Sequence, residues 1–296
     1  MSDKTGIEWT DATWNPVTGC TKVSAGCDHC YAETIAHRFA GTKAYPHGFA
    51  VTLRPERLDQ PLRWKRPRRI FVNSMADLFH DDVPDDYIVQ VFDVMANARQ
   101  HTFQVLTKRH ARMRAFVTKY IAGGFGEPGL GGVGVLPNVW LGVSVENQQW
   151  ADIRVPALLD TPAAVRFLSC EPLLGEVSLF ANSTIDTGRL VDWVIVGGES
   201  GRGARPMLAR WARQLRDECH ANTIPFLFKQ WGEWAPTETL ATGIEIDPKQ
   251  RLGEVVHDGK YPELEWRAVY RRVGKKAAGR DLDGRTWDEY PSARTP

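Results

Sequence analysis

Short apolar runs rich in β-branched and aromatic residues alternate, from residue 70 onward, with longer stretches in which apolar residues recur every three or four positions. The short runs are typical of buried strands and the longer stretches of amphipathic helices. The predicted strands are 69–73, 102–106, 139–143, 165–169, 192–196 and 225–228. The predicted helices are 84–99, 110–121, 147–159 and 209–221. This alternation predicts an α/β fold built on a parallel sheet.

A further strand at residues 6–9 (GIEW) would place a cysteine-rich segment in the first strand-to-helix loop, before a helix at 31–40. A full or partial parallel βα-barrel, similar to a TIM barrel, is the first choice of architecture, and an open doubly wound sheet is the second. In both architectures ligands bind at the carboxyl ends of the strands, where the loops that lead into the helices gather. We therefore expect the cysteine segment to lie at a functional mouth.

The alternating rhythm is interrupted in two places. Residues 122–136 are glycine-rich without a phosphate-loop pattern, which predicts a flexible insertion, and residues 173–188 lack a helical period. After residue 234 the rhythm ends altogether. We predict a barrel over residues 1–234 and a C-terminal extension over 235–296, including a strand-like run at 266–270, that packs on the barrel or covers its mouth.

Charge and hydropathy limit where the protein can be located and what it can bind. Lys and Arg total 37 against 36 Asp and Glu, so the net charge does not indicate a polyanionic partner, and any nucleic-acid site must be a local patch. The first residues form no signal peptide, and no segment approaches the roughly 18 apolar residues that span a bilayer. We expect a cytoplasmic protein without a membrane partner.

Three of the five cysteines, Cys20, Cys27 and Cys30, lie within eleven residues in the segment TGCTKVSAGCDHCYA. Thiolates are soft ligands that suit an iron–sulfur cluster or zinc, and a two-residue gap lets one turn aim two sulfurs at one centre. Three ligands on one loop leave one iron of a 4Fe-4S cluster open to chelate S-adenosylmethionine (SAM). We predict these three residues as metal ligands.

Other interpretations of the cysteines stay open. His29, His37 or His47 would complete a closed zinc site, which would make the chain a zinc-binding module for a nucleic acid or a protein, or the three thiols are unligated. Cys170 follows a predicted strand and is either buried or the fourth ligand of a closed 4Fe-4S cluster without SAM activity. Cys219, within a predicted helix, is expected to be structural.

Polar or charged residues follow each predicted strand. A parallel barrel with this pattern has a polar rim at one mouth, although loop residues are commonly polar for structural reasons. The stretch GGESG at 197–201 lets the backbone approach a ligand closely. No catalytic residue is predicted. The residues predicted to bind a cofactor are His29, Tyr31, Asn73, Ser74, Asp77, Lys108, Ser144, Glu146, Glu171, Glu199, Ser200 and Lys229.

Eight blocks along the chain carry a family resemblance: TWNPVTGC, CDHCYA, RIFVNSMADLFHDDVP, FQVLTKR, LGVSVEN, SCEPLLG, GGESGRGARPM and FKQWGEW. Through these blocks nearly the whole chain resembles the phage-associated three-Cys-motif proteins, a largely uncharacterised family similar to divergent radical SAM enzymes. The resemblance implies a radical SAM-like barrel with a 4Fe-4S cluster and no established substrate. The first cysteine gap of six residues departs from the C-x3-C-x2-C spacing of most radical SAM enzymes, a difference that bears on SAM cleavage.

The cysteine motif and the resemblance together predict a radical SAM-type enzyme that cleaves SAM to a 5'-deoxyadenosyl radical. Such an enzyme takes electrons from a donor such as flavodoxin or ferredoxin. A nucleic acid is one candidate substrate, because the run RWKRPRR at residues 63–69 has five basic residues and a tryptophan, which suit phosphate contacts. A solvated loop is the other interpretation of this run.

Overall fold

The computed structural model describes residues 5–125, 134–180, 191–236, 252–253 and 270–292. Seven of its strands form one sheet in which every neighbouring pair is parallel, and two short strands form a separate antiparallel pair, β2 with β3. Within the described residues, the first nine strands are β1 (Ala12–Trp14), β2 (Val17–Thr18), β3 (Thr52–Leu53), β4 (Arg69–Val72), β5 (Thr102–Thr107), β6 (Val139–Ser144), β7 (Val165–Cys170), β8 (Trp193–Gly197) and β9 (Phe226–Gln230). The six strands predicted from residue 69 onward are confirmed, with ends shifted by no more than two residues.

The main sheet has the order β1-β4-β5-β6-β7-β8-β9, so its strands follow one another as they do along the chain. Right-handed crossovers place all connecting helices on one face of such a sheet, whereas a doubly wound sheet needs a reversal of strand order. The doubly wound alternative is therefore wrong, and the partial βα-barrel is confirmed. Strands β1 and β9 are the two edges, and in the described residues they do not pair with each other.

The helices follow the predicted periodicity closely. They are α1 (Tyr31–Arg38), α2 (Asp85–Asn97), α3 (His110–Ile121), α4 (Gln148–Leu159), α5 (Ala209–Ala221) and α6 (Lys275–Ala278). Pro84 occupies the N-cap of α2, where its missing N–H breaks no intrahelical bond. Asn147 caps α4, since its side-chain oxygen accepts a hydrogen bond from the Trp150 N–H at 3.2 Å.

The two faces of the sheet are buried in different ways. On the outer face Ile70 and Val72 of β4 belong to a large apolar core that also contains Val91 of α2 and Phe116 of α3. The intervening Phe71 points to the inner face, because side chains alternate along a strand. The inner cluster consists of Trp9, Phe71, Trp140, Val165, Phe167, Trp193, Ile195 and Leu227. Most of its members lie near the amino ends of their strands, so this aromatic layer closes the interior at the end opposite the mouth.

The strand predicted at residues 6–9 is wrong. The first strand is β1, which pairs in parallel with β4 through Ala12 and Ile70. Trp9 is 1% exposed and its ring lies 4.6 Å from that of Phe71 and 6.2 Å from that of Trp193. Trp9 therefore closes the base of the barrel. Because this tryptophan is buried, residues 6–9 have an apolar pattern similar to that of a strand, although they do not form one.

The C-terminal residues pack back on the barrel. Strands β10 (Trp234–Pro236), β11 (Leu252–Gly253) and β12 (Tyr270–Arg272) form a small antiparallel sheet, and β13 (Asp281–Leu282) pairs with β14 (Arg285–Thr286). The Phe228 N–H donates to the Trp287 carbonyl at 3.0 Å, and the Trp193 Nε1–H donates to the Glu289 carbonyl at 2.8 Å. Residues 287–289 therefore cover β9 and the base of the barrel, whereas residues 272–274 contact Gly201 and Glu233 beyond the carboxyl ends of β8 and β9. The boundary at 234 stays a prediction.

Several sequence expectations fall partly outside the described residues: most of the glycine-rich stretch at 122–136, part of 173–188, and residues 266–269 of the strand-like run. In the described part of the second stretch, 173–180, no helix forms. Among the described residues, no helix combines the length and apolar character that crossing a bilayer requires.

Candidate functional site

The cysteine loop, residues 19–30, runs from β2 to α1 across the carboxyl ends of the barrel strands. Cys20 follows β2, Cys27 ends a short 3-10 turn, and Cys30 occupies the N-cap of α1. All three thiols are free and partly exposed. The loop contacts residues that follow β5, β6 and β8, so it lies at the mouth where the strand-to-helix loops converge.

Gly19 fixes the entry of this loop. It has φ +86°, and a Cβ there would lie 2.1 Å from the Ala50 carbonyl oxygen, so a side chain fits neither the backbone conformation nor the space. The neighbouring Cys20 N–H donates to the Phe49 carbonyl at 3.2 Å, and the Gly19 N–H donates to Met75 at 3.0 Å. These backbone contacts fix the position of Cys20.

Arg109, directly after β5, contacts the sulfur of Cys20. Its guanidinium donates to Cys20 Sγ at 3.4 Å, to Asp77 Oδ2 at 3.2 Å and to Thr21 Oγ1 at 2.9 Å. Asp77 in turn accepts from the Thr107 hydroxyl at 2.7 Å and from the Lys108 N–H at 3.0 Å. Burial raises the pKa of the Cys20 thiol and Asp77 raises it further, while the Arg109 guanidinium opposes both.

Glu146, after β6, holds the middle of the cysteine loop. Its side chain is fully buried, and its carboxylate accepts from the Ser24 hydroxyl at 2.6 Å and from Arg154 at 2.9 Å. A second cation, the Lys108 ammonium, lies 3.6 Å away. A Cβ on Gly26 would lie 2.5 Å from Glu146 Oε1, so the turn before Cys27 rests directly on this carboxylate. Arg154 also donates to the Ser144 carbonyl at 2.8 Å.

Glu199, in the GGESG stretch after β8, holds the loop from the opposite side through Arg205. Arg205 donates to both Glu199 oxygens, at 2.8 and 2.7 Å, which is the paired geometry that guanidinium and carboxylate groups favour. The same guanidinium reaches the Ala25 carbonyl at 2.8 Å and Asp28 at 3.2 Å. It thereby links the end of β8 to the cysteine loop.

Glu171 and Lys229 form an ion pair at the ends of β7 and β9, with 2.9 Å between Nζ and Oε1. The Ser169 hydroxyl lies 3.4 Å from the other Glu171 oxygen. A Cβ on Gly197 would lie 2.5 Å from Glu171 Oε1, so the intervening strand must carry glycine for the pair to form. The pair is mostly buried, so the attraction between its charges is opposed by the cost of removing them from water.

Asn73, Ser74 and Tyr31 form the wall of the mouth beside β4. Asn73 adopts φ 59°, and its side-chain oxygen accepts from the Val17 N–H at 3.2 Å. The Ser74 hydroxyl donates to Asn15 at 3.2 Å, and the Tyr31 hydroxyl donates to the Ser74 carbonyl. These three residues shape the loops around the cysteines.

The last two predicted residues lie near the end of β8. The Ser200 hydroxyl accepts from Gln230 Nε2 at 3.1 Å. The exposed His29 ring lies against Gly203, where a Cβ would meet it at 2.5 Å. Ligand contacts by any of the twelve residues stay a prediction.

The structure brings the residues predicted to bind a cofactor to one mouth and adds others that were not predicted to bind one, namely Thr21, Ser24, Arg109, Arg154 and Arg205. Arg109 and Arg205 lie in polar stretches next to predicted residues. Their positions along the chain are therefore a sequence signal that they belong to the site. Arg154 lies inside a helix, 0% exposed, and nothing in its local sequence indicates that it meets Glu146.

Cys170 points away from the mouth. Its side chain is 0% exposed and belongs to the outer, helix-facing core, together with Cys219 of α5. Burial raises the pKa of the Cys170 thiol, and the Glu171 carboxylate raises it further. The geometry therefore disfavours Cys170 as a fourth ligand of a cluster bound by the cysteine loop. It agrees with a buried structural role for Cys219.

The donor set of the mouth is three free thiols on one loop. Within the residues that the structure describes, no three histidine, cysteine, aspartate or glutamate side chains are grouped closely enough to hold one metal ion. A 4Fe-4S cluster makes a different demand, because each thiolate binds a different iron. Of the histidines weighed as zinc ligands, His37 lies 3.8 Å from Glu33 and His29 lies beside Gly203.

The basic run at 63–69 lies at the other end of the barrel, because it leads into the amino end of β4. Arg69 pairs with Asp11 at 3.2 Å, and Arg68 lies over the Trp64 ring at 4.9 Å. Lys65 and Arg66 are exposed. The run is thus separated from the cysteine loop by the length of the strands.

Known proteins offer distant likenesses to this fold. A structure of spore photoproduct lyase complexed with dinucleoside spore photoproduct is 8% identical, with a TM-score of 0.39 over 88% of this chain and 67% of that chain. Two mutants of the lyase, one with the same dinucleoside and one with a tyrosine replaced by phenylalanine, are 9% identical with TM-scores of 0.41 and 0.40 and the same coverage. Likenesses this distant carry no function across. Comparison with curated proteins found no match. The model of the family described as "Protein of unknown function (DUF5131)" matches residues 4–291, and the chain therefore belongs to this family.

Proposed function

We propose that this protein is an iron–sulfur enzyme of the radical SAM type, with a 4Fe-4S cluster bound by Cys20, Cys27 and Cys30. The observation that carries the proposal is a loop with three free, partly exposed cysteines, held across the carboxyl-end mouth of an all-parallel partial barrel. Soft thiolates at this spacing suit iron–sulfur clusters, and the mouth of a parallel barrel is where such folds bind their ligands.

The residues around the loop fit a cluster. Gly19 and Gly26 lie where a Cβ would overlap neighbouring atoms, so the loop is packed closely against the barrel and its shape is predetermined. Arg109 donates to the Cys20 sulfur at 3.4 Å, so a cationic hydrogen-bond donor already lies beside one of the proposed ligands. Cys170 is turned into the outer core, which leaves three thiolates and hence one open coordination position for SAM.

The polar residues at the strand ends are the groups we assign to SAM and substrate. Glu171 and Lys229 present a carboxylate and an ammonium at the ends of β7 and β9, and Glu199 and Ser200 lie on the glycine-rich turn after β8. Charged groups of both signs match a ligand that carries an amino group, a carboxylate and ribose hydroxyls.

When bound to a reduced cluster, SAM supplies a 5'-deoxyadenosyl radical that abstracts hydrogen from a substrate. The chain itself orients the ligands through its strand-end residues. Its aromatic base of Trp9, Phe71 and Trp193 closes the far end of the barrel, which excludes water from that side of the site.

Anaerobic reconstitution with iron and sulfide, followed by dithionite and SAM, tests this proposal. We expect iron and sulfide to bind and 5'-deoxyadenosine and methionine to be released. The Cys27→Ala variant should lose both the iron and the products, whereas Cys219→Ala, which alters a cysteine of the outer core, should keep them. An intact, reduced cluster that releases no 5'-deoxyadenosine would refute the radical SAM assignment. A colourless protein with one zinc and no iron would support the zinc-binding module instead.

The partners are also part of the proposal. An electron donor such as flavodoxin or ferredoxin would reduce the cluster. A nucleic acid bound through residues 63–69 is a candidate substrate, in line with the phage association that the resemblance implies, provided that it extends along the barrel from the amino end of β4 to the mouth. Of the exposed cations of that run, Arg63 pairs with Asp59 at 2.7 Å, and the other two are Lys65 and Arg66. Replacing both with alanine should weaken DNA or RNA binding and flatten its salt dependence by about two charge contacts. Unchanged binding would remove this run from the proposal.

A further inference from the structure

Arg109 is placed to act on the sulfur of Cys20 itself. Its guanidinium lies 3.4 Å from Cys20 Sγ, while the other contacts to the cysteine loop from Glu146 and Arg205 go to hydroxyl, carboxylate or carbonyl groups. Hydrogen bonds and charge at a ligating sulfur are among the factors that set the reduction potential of an iron–sulfur cluster.

The guanidinium is fixed before any cluster binds. Asp77 accepts from it at 3.2 Å, Thr21 Oγ1 accepts at 2.9 Å, and the Arg109 side chain is only 11% exposed. Asp77 is itself fixed by Thr107 and by the backbone N–H of Lys108. A donor held in place by this chain of bonds keeps its direction toward the sulfur and loses little entropy when the sulfur becomes a thiolate.

We propose that Arg109 is a positioning residue that raises the reduction potential of a cluster bound through Cys20. The inference rests on the proposed function, because it requires that the three cysteines hold a cluster. Reduction adds negative charge to the cluster, and a positively charged hydrogen-bond donor at a ligating sulfur stabilises the reduced state more than the oxidised state. The Asp77 carboxylate offsets part of the charge of Arg109, but the N–H···S hydrogen bond remains.

The test compares three variants of the full chain: Arg109→Met, Arg109→Gln and the control Arg114→Met. Arg114 lies on the adjoining helix α3 and makes a largely exposed pair with Asp160 at 3.3 Å, so its loss removes one positive charge without touching a cysteine. Circular dichroism and iron content establish folding and loading. The midpoint potential is then measured by an anaerobic redox titration followed by electron paramagnetic resonance.

Both Arg109 variants should have a more negative midpoint potential than the wild type. At a given applied potential, the ratio of reduced to oxidised cluster should fall about tenfold, which corresponds to ~59 mV for a one-electron couple. Arg114→Met should match the wild type. Equal potentials in the wild type and the loaded Arg109 variants would overturn the inference. Loss of iron from both folded Arg109 variants would also overturn it, since Arg109 would then be needed for assembly. A wild-type protein that binds no cluster would instead refute the proposed function, so the two failures are distinguishable.

Discussion

Replacing Gly26 with alanine tests whether the cysteine loop is rigidly seated on the barrel. The new Cβ would lie 2.5 Å from Glu146 Oε1 and 2.6 Å from Glu146 Cγ, closer than unbonded atoms approach. Glu146 has no room to yield, because its fully buried carboxylate is held by Arg154 at 2.9 Å and by the Ser24 hydroxyl at 2.6 Å. The loop must therefore lift away, and Cys27, the next residue, must move with it.

Overpacking of this kind costs about 1–3 kcal/mol. For a chain of 296 residues each kcal/mol lowers Tm by about 1.5–2 °C. We expect Gly26→Ala to unfold at a lower temperature and to retain less iron after anaerobic reconstitution and desalting. Thermal unfolding followed by circular dichroism and an iron assay per chain measure the two effects.

Gly124→Ala is the matched control, because Gly124 lies just after α3 and outside the cysteine loop. A Cβ at Gly124 would also come within 2.6 Å of another side chain, but that neighbour is Cγ of the exposed, flexible Lys119. We expect its Tm and iron content to stay close to those of the wild type. If Gly26→Ala matches the control in both measurements, Glu146 does not anchor the loop and this reasoning is refuted.

Three further predictions follow from the same contacts. Arg154→Met removes the nearer cation from the buried Glu146 and leaves Lys108 at 3.6 Å, so the free energy of unfolding in a urea titration should fall by up to about 3–5 kcal/mol, and by less when Glu146→Gln is added. Equal loss in both variants would contradict the pairing. Cys170→Ala should keep its iron, whereas Cys27→Ala should lose it, because the Cys170 side chain lies in the outer core. An iron assay per chain measures both, and equal losses would make Cys170 a ligand again. Arg205→Met should speed amide hydrogen exchange in residues 24–30, because it removes the hydrogen bonds that link Glu199 to the loop. Mass spectrometry measures the exchange, and an unchanged rate would show that this link does not stabilise the loop.

The secondary structure of the barrel was largely predictable from the sequence, because the period of apolar residues reflects burial that is local to each element. Both ends of α3 and α5 agree with the prediction, and the six strands from residue 69 onward differ by at most two residues. The error at residues 6–9 has the same origin. Trp9 is buried in the base of the barrel, and burial outside a strand produces an apolar pattern similar to burial within one.

The parallel order of the strands also made the position of the site predictable, since all carboxyl ends must meet at one mouth. The sequence alone therefore determined the fold class, the three neighbouring cysteines and the set of polar strand ends. It did not determine which groups meet there. Whether Cys170 faced the mouth depended on which face of the sheet its side chain occupies, and side chains on both faces of β7 are buried.

Only the tertiary structure decided the pairings that hold the cysteine loop. Arg109 reaches Cys20 across 89 positions of sequence, and Arg205 reaches Ala25 across 180. Such contacts arise from strand register and helix packing, which no local pattern encodes. The same applies to the basic run at 63–69, whose charges are plain in the sequence but whose distance from the cysteines follows from its place at the amino end of β4. Burial within one helix or strand produces a period of apolar residues that can be read from the sequence. Contacts between side chains far apart in the sequence depend on how the folded elements pack, so only the tertiary structure shows them.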